Sequence, residues 1–205
     1  MPFERELTMQ PEQLFRIALI LILVSMAGIS GTFRSRARRD SGTIERSKEG
    51  WKMGAMRLIF ALLLYLPIFT YMINPTWMDW SRIVLPDWLR WTGLGIGIIV
   101  VPLIYKVFST IGANISETIL TKDSHQLVTT GIYTRIRHPL YMVAGLSLVS
   151  FSLLAANWFV SAMSTISIVL IVMVVVPKEE DQLILKFGDD YRDYQKRSGK
   201  VWLRF

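Results

Sequence analysis

Three short segments hold the residues best suited to chemistry. In Arg137-His138-Pro139-Leu140-Tyr141 a guanidinium and an imidazole stand directly before a proline. Proline is favoured in the first turn of a helix, where its missing N–H costs nothing, so Pro139 marks a helix start. The free N–H groups and the dipole at such a start already favour an anion. Arg137 and His138, with Tyr141 one turn further on, would suit a carboxylate or a phosphate. The alternative is that Arg137 only reaches lipid headgroups and His138 is an interfacial residue.

The second segment is His125-Gln126-Leu127-Val128-Thr129-Thr130-Gly131-Ile132-Tyr133. Gly131 can take backbone conformations closed to other residues, and Leu127 and Val128 could pack on a flat ring while their backbone groups meet its edge. An ordinary interfacial loop is the competing reading. The third segment is Lys178-Glu179-Glu180-Asp181-Gln182-Leu183. Leu183, Phe187, Tyr191 and Tyr194 recur at helical spacing and form one apolar stripe. Glu180, three residues before Leu183, is assigned to that stripe, and Glu179 is taken to be turned about 100° from it. A carboxylate on a buried face needs a partner. Glu180 would either pair with an arginine near the helix start or hold a ligand's ammonium or hydroxyl groups.

The elements that must position these groups are membrane spans. The chain has 205 residues, 52% of them hydrophobic, and the apolar residues come in runs rather than in alternating or amphipathic patterns. A span needs roughly 20 apolar residues. Runs at 14–31, 53–73, 89–108, 140–156 and 158–176 predict about five spans in one membrane domain covering 1–205. The first run is expected to be a retained span rather than a signal peptide, because Glu4, Arg5, Glu6 and Glu12 precede it instead of a basic segment. Arg34, Arg36, Arg38, Arg39, Arg46, Lys48 and Lys52 form a basic loop after it, as cytosolic loops do. That count puts the N-terminus outside and the C-terminus and the 109–137 loop inside. Trp77, Trp80 and Trp88 lie in a loop poor in Lys and Arg, which suits the outer interface. Asn157 alone separates the last two runs, which predicts a tight helical hairpin.

Several function classes are set aside. The chain has no cysteine, so thiolate chemistry, disulfides and cysteine metal sites are excluded. No metal is expected. The net charge of +7 crowds beside apolar runs, so membrane lipids rather than nucleic acid are the expected partner. Gly93-Leu94-Gly95-Ile96-Gly97 has the wrong spacing for a dinucleotide loop and follows no strand; small residues in a membrane helix predict close helix packing.

Taken together and in this order, HQLVTTGIY (125–133), RHPLY (137–141), Glu179-Glu180, Phe187-Gly188 and YRDY (191–194) resemble the isoprenylcysteine carboxyl methyltransferase family. The resemblance covers the C-terminal two fifths of the chain, and its size and span count match a prokaryotic, archaeal-type member. It implies an all-α integral membrane protein with about five transmembrane helices, three in 1–108, and a methyltransferase core in 109–205. In that core the cytosolic loop and the C-terminal helix would form the cofactor pocket. It also implies S-adenosylmethionine as methyl donor, S-adenosylhomocysteine as product, and a lipid-like or prenylcysteine-like acceptor entering from the bilayer. On this resemblance His125, Gln126, Leu127, Val128, Gly131, Tyr133, His138, Tyr141, Glu180 and Leu183 would bind the cofactor, and Arg137 and Glu180 would be catalytic. The sequence departs from the eukaryotic members near Val175, where those carry an arginine. The rival functions are a phospholipid amine N-methyltransferase, an NADPH enzyme of the sterol-reductase kind, and a non-enzymatic lipid-binding membrane protein.

Overall fold

The computed structural model describes residues 11–202 except Glu117, together with every side chain in that range but those of Arg46 and Glu117. Glu4, Arg5 and Glu6 lie outside the described residues. Among the described residues there are seven α-helices: α1 (Pro11–Ser41), α2 (Trp51–Ile73), α3 (Asp87–Ile111), α4 (Pro139–Ala155), α5 (Trp158–Leu170), α6 (Val176–Phe187) and α7 (Asp189–Arg197). Among the described residues there is no strand, only two isolated bridges.

Among the described residues four helical stretches are long and apolar enough to cross a membrane: Pro11–Ser41, Trp51–Ile73, Asp87–Asn114 and Trp158–Phe187. The fourth expected run is the shorter helix α4, with 17 residues. At 1.5 Å per residue it is about 26 Å long, at the lower limit for a span. The chain is an integral membrane protein.

Two expectations about boundaries are corrected. The basic stretch Arg34–Arg39 is not a loop but the last turns of α1. Arginine is a good helix former, and Arg38 and Arg39 in the last turn complement the helix dipole. The tail at Pro177 is also not a separate element. It continues α5 through a π-helical turn at Ile171–Val175 into α6. A proline ring clashes with the carbonyl four residues back, here that of Met173, and the wider turn spreads the backbone at that point.

The hairpin between α4 and α5 forms as expected. Ala156 takes a left-handed conformation with φ 46°, and the Asn157 side chain caps α5 by accepting from Val160 N–H at 3.0 Å. Asn157 Nδ2 donates to Met78 O at 3.1 Å, so the turn also anchors the 75–81 segment. Gly93 and Gly97 are packing positions. A Cβ on Gly93 would lie 2.7 Å from Leu153 Cβ, and one on Gly97 would lie 2.3 Å from Ile22 Cδ1. Gly95 faces open space. Ser150 Oγ donates to Gly93 O at 2.7 Å across this contact. At the other end of the bundle the buried Arg90 joins α3 to Glu12 of α1 (2.8 Å) and to Leu154 O of α4 (2.8 Å).

Residues 198–201 return to the start of α4. Arg137 N–H donates to Gly199 O and His138 N–H to Lys200 O, both at 2.9 Å, while Gly199 N–H donates to Arg135 O at 2.8 Å. The tail therefore lies as a parallel bridge against 135–138. Its docking fixes the backbone that carries Arg137 and His138.

Candidate functional site

A cavity of about 910 Å³ lies where the 115–133 loop, the starts of α4 and α7 and the α5–α6 bend meet the lower parts of α1, α2 and α3. Its lining includes His125, Gln126, Leu127, Val128, Tyr133, Arg137, His138, Tyr141 and Leu183. Nine of the sequence-derived site residues thus come together although they are spread over 59 positions of chain, from 125 to 183. Gly131 and Glu180 are absent from the lining.

Gly131 acts through the backbone. With φ +59° it opens the 3₁₀ turn Gly131–Thr134, a conformation that side chains rarely tolerate. That turn drops Tyr133 into the cavity wall. Tyr194 Oη donates to Tyr133 O at 2.5 Å, and burial pushes the Tyr194 phenol up to about 12. It is therefore a fixed donor at neutral pH.

His125 sits on the loop facing α6. Burial, with help from Lys186 and Lys122, holds its imidazole down at about 4, so it is neutral at physiological pH. Its Nδ1 is buried and has no hydrogen-bond partner among the described residues. A buried polar atom without a partner is costly, and the residue that carries this one lines the cavity. Gln126 is held by its N–H donating to Asn114 Oδ1 at 3.0 Å.

The two glutamates take different roles from those their phase suggested. Glu179 lines the cavity. Its Oε1 accepts from Tyr141 Oη at 2.7 Å, and its Oε2 lies 3.6 Å from His138 Nδ1. Glu180 is buried but turned away from the cavity. Its Oε1 accepts from Arg137 Nε at 2.9 Å and lies 3.4 Å from His138 Nε2, and its Oε2 lies 3.5 Å from Lys200 Nζ. This is the pairing with an arginine at the helix start that the sequence left open. Counting back from Leu183 gives the physical reason. At about 100° per residue, a step of four returns within about 40° and a step of three only within about 60° on the other side. The stripe Glu179–Leu183–Phe187 was legible at a spacing of four. In addition, α6 ends at Gly188, with φ +57°, so Tyr191 and Tyr194 belong to a separate helix and do not extend the phase of α6.

Arg137 gives its Nε and Nη1 donors to the protein's own acceptors. Nε serves Glu180, and Nη1 donates to Gln195 O at 3.0 Å and Ser198 O at 2.5 Å. The guanidinium ties α4, α6 and the tail together. Leaving these acceptors unpaired in a buried place would cost more than a free arginine gains.

Sequence reasoning missed the contribution of the first three helices. Arg34 of α1, Arg57, Leu58, Ala61 and Tyr65 of α2 and Phe108 of α3 all line the cavity. Arg57 Nη2 is paired with Glu49 at 2.7 Å. These residues stand at helical spacing on helices that look like ordinary spans, so no local pattern marked them. Val175 lines the same cavity.

Comparison with known proteins gives three findings. A sequence profile described as the isoprenylcysteine carboxyl methyltransferase (ICMT) family matches residues 93–185. The protein-S-isoprenylcysteine O-methyltransferases of Mus musculus and Dictyostelium discoideum are 28% identical over 120 residues and 31% identical over 109 residues. These matches cover 58% and 45% of this chain but 42% and 39% of the relatives, so the chain spans about two fifths of the length of the curated relatives it matches. The solved structure of the eukaryotic intramembrane Ras methyltransferase ICMT superimposes with a TM-score of 0.54 at 20% identity, covering 96% of this chain and 68% of that one.

Proposed function

Because residues 93–185 match the isoprenylcysteine carboxyl methyltransferase family profile, we propose that the chain is a membrane methyltransferase of that family that uses S-adenosylmethionine. The acceptor is the carboxylate of a lipid-like or prenylcysteine-like molecule. The observation that carries this reading is the one cavity in which an unpartnered imidazole nitrogen, a carboxylate and apolar loop side chains meet. These groups fit the donor. Leu127 and Val128 offer a surface for a flat base, His125 Nδ1 a hydrogen bond, and the Glu179 carboxylate a partner for an ammonium. When bound, the donor's sulfonium supplies an electrophilic methyl carbon. In the transfer a C–O bond forms as the S–C bond breaks, and a neutral thioether leaves.

A carboxylate with a pKa near 4 is already ionised at neutral pH, so no side chain has to act as general base. The work left to the protein is alignment and removal of water from the nucleophile. The apolar residues of α2 and the π turn, among them Leu58, Ala61 and Ile171, extend the cavity toward the hydrocarbon and give the acceptor's chain a path to the reacting centre. Arg34 and Arg57 take the place of the arginine that the eukaryotic members carry at the position of Val175, and attract the acceptor carboxylate. The basic end of α1 supports a cytosolic position for this side of the protein by the positive-inside rule, with the N-terminus outside.

The test is a melting curve of the purified protein with S-adenosylhomocysteine, with NADPH and with neither. At 100 times its Kd a ligand adds about 2.7 kcal/mol, or about 5–10 °C for a chain of this size. A shift with S-adenosylhomocysteine alone, followed by methyl transfer to an N-acylated S-prenylcysteine, is the expected result. A shift with NADPH alone would overturn the proposal.

A further inference from the structure

A second cavity, of about 1090 Å³, lies on the other side of the Arg137–Glu180 pair, between α4 and α5. Its upper walls are apolar, from Leu148 and Val149 on α4 to Ile168 and Met173 on the facing helix. Val149, Val169 and Met173 are exposed on the outer surface of the bundle, so the cavity is a groove open sideways to the hydrocarbon. Its floor is polar and made by the docked tail, with Gln195, Ser198 and Lys200 beside Arg137, and Trp202 at the edge.

We propose that this groove is a separate lipid site, which takes an anionic lipid from the leaflet beside the C-terminal tail. Charge complementarity selects the occupant. The Glu180 carboxylate faces two cations, Arg137 and Lys200. The Lys200 side chain is 42% exposed, so its ammonium can leave Glu180 for a headgroup phosphate without dragging a charge through a dry interior. Lysine stems of this kind lie along apolar surface and hold their charge at the interface, and basic pockets between membrane helices bind acidic headgroups. The exposed Trp202 indole stands where interfacial aromatic residues anchor.

The methyl acceptor is not the occupant. Its chain has its own apolar path along α2 within the donor cavity, and the Tyr141–Glu179 and Arg137–Glu180 contacts stand between the two spaces. The exclusion of the acceptor rests on the proposed function, and the charge complementarity for an anionic lipid rests on Lys200 and Arg137 alone.

The experiment is native mass spectrometry of the full chain, released from mixed micelles that contain equal amounts of phosphatidylglycerol and phosphatidylcholine with identical acyl chains. One retained phosphatidylglycerol is expected, favoured about fivefold, as one basic residue at an acidic headgroup provides. Lys200→Gln should bring the preference to about one. Ser161→Leu and Gly145→Leu fill the groove from opposite walls and should abolish retention; a Cβ on Gly145 meets only Ile168, at an ordinary 4.0 Å. Melting curves without ligand identify variants that remain folded, and the S-adenosylhomocysteine shift should survive in Ser161→Leu. Equal retention of the two lipids by the unaltered protein would overturn the proposal. So would retention unchanged in both wall variants, or loss of the S-adenosylhomocysteine shift in a folded Ser161→Leu protein, which would make the groove part of the transfer site.

Discussion

Replacing each of the two adjacent glutamates by glutamine should damage different properties of the protein. Glu179 lines the cavity of about 910 Å³ proposed to hold the donor and is held by one neutral hydrogen bond, from Tyr141 Oη at 2.7 Å. A glutamine oxygen can still accept that bond, so Glu179→Gln should change the melting temperature little. A hydrogen bond to a charged ligand group contributes about 1.5–3 kcal/mol, and losing it should weaken S-adenosylhomocysteine binding roughly 10- to 100-fold. Glu180 is the common partner of Arg137 and Lys200. Removing one member of a buried ion pair costs about 3–5 kcal/mol. Here the figure falls to about 2–3 kcal/mol, because Lys200 is half in solvent and screened and Arg137 keeps two carbonyl acceptors. For a chain of this length that is a drop of about 5–10 °C. Isothermal calorimetry with S-adenosylhomocysteine, paired with ligand-free melting curves, reads both quantities. A Glu180→Gln protein that melts normally but binds poorly, beside a Glu179→Gln protein that binds normally, would refute the assignment of the two carboxylates.

Three further outcomes follow from the structure. His125 is held at about 4 by burial against about 6.5 in the unfolded chain, so the unfolded state binds more protons between these values. Stability is then complete above pH 6.5 and declines as the pH falls toward 4; melting curves should show His125→Asn losing about 1 kcal/mol less than the unaltered protein between pH 7 and 5, a figure already reduced for partial solvent screening. Gly93→Ala drives a methyl group against Leu153 and should cost about 1–3 kcal/mol by overpacking, whereas Gly95→Ala meets open space and should be neutral or stabilise by up to about 1 kcal/mol; thermal melts of the two variants compare them directly. Single cysteines placed near each end of this cysteine-free chain should be labelled from opposite sides of the membrane, and labelling of both from one side would contradict the topology.

The spans were legible because burial in lipid leaves a one-dimensional mark. Every apolar run became a helix, and the one-residue gap at Asn157 became a capped turn. The 125–133 loop and the start of α4 were legible as parts of one cavity wall because they gather unusual residue types in short segments. What stayed hidden is interaction at a distance. The partnership of Glu180 with Lys200 depends on the tail folding back across α4, which no local pattern encodes. Arg34 and Arg57 look like topology signals, since a basic residue at the end of a span has the same composition whether it faces headgroups or a cavity. The π turn was hidden for a related reason. Pro177 announces a disturbance of the helix, but only three-dimensional packing determines whether the backbone kinks, stops or widens.

The tail that lies against residues 135–138 also places the site in time. The helices α1 to α6 leave the ribosome before residues 198–201 do. The bilayer-embedded part can thus be threaded and packed while the backbone of Arg137 and His138 still lacks its partner strand. The site closes only when residues 198–201 swing back. A nascent or shortened polypeptide would sit correctly in its membrane and still be unable to hold its ligand.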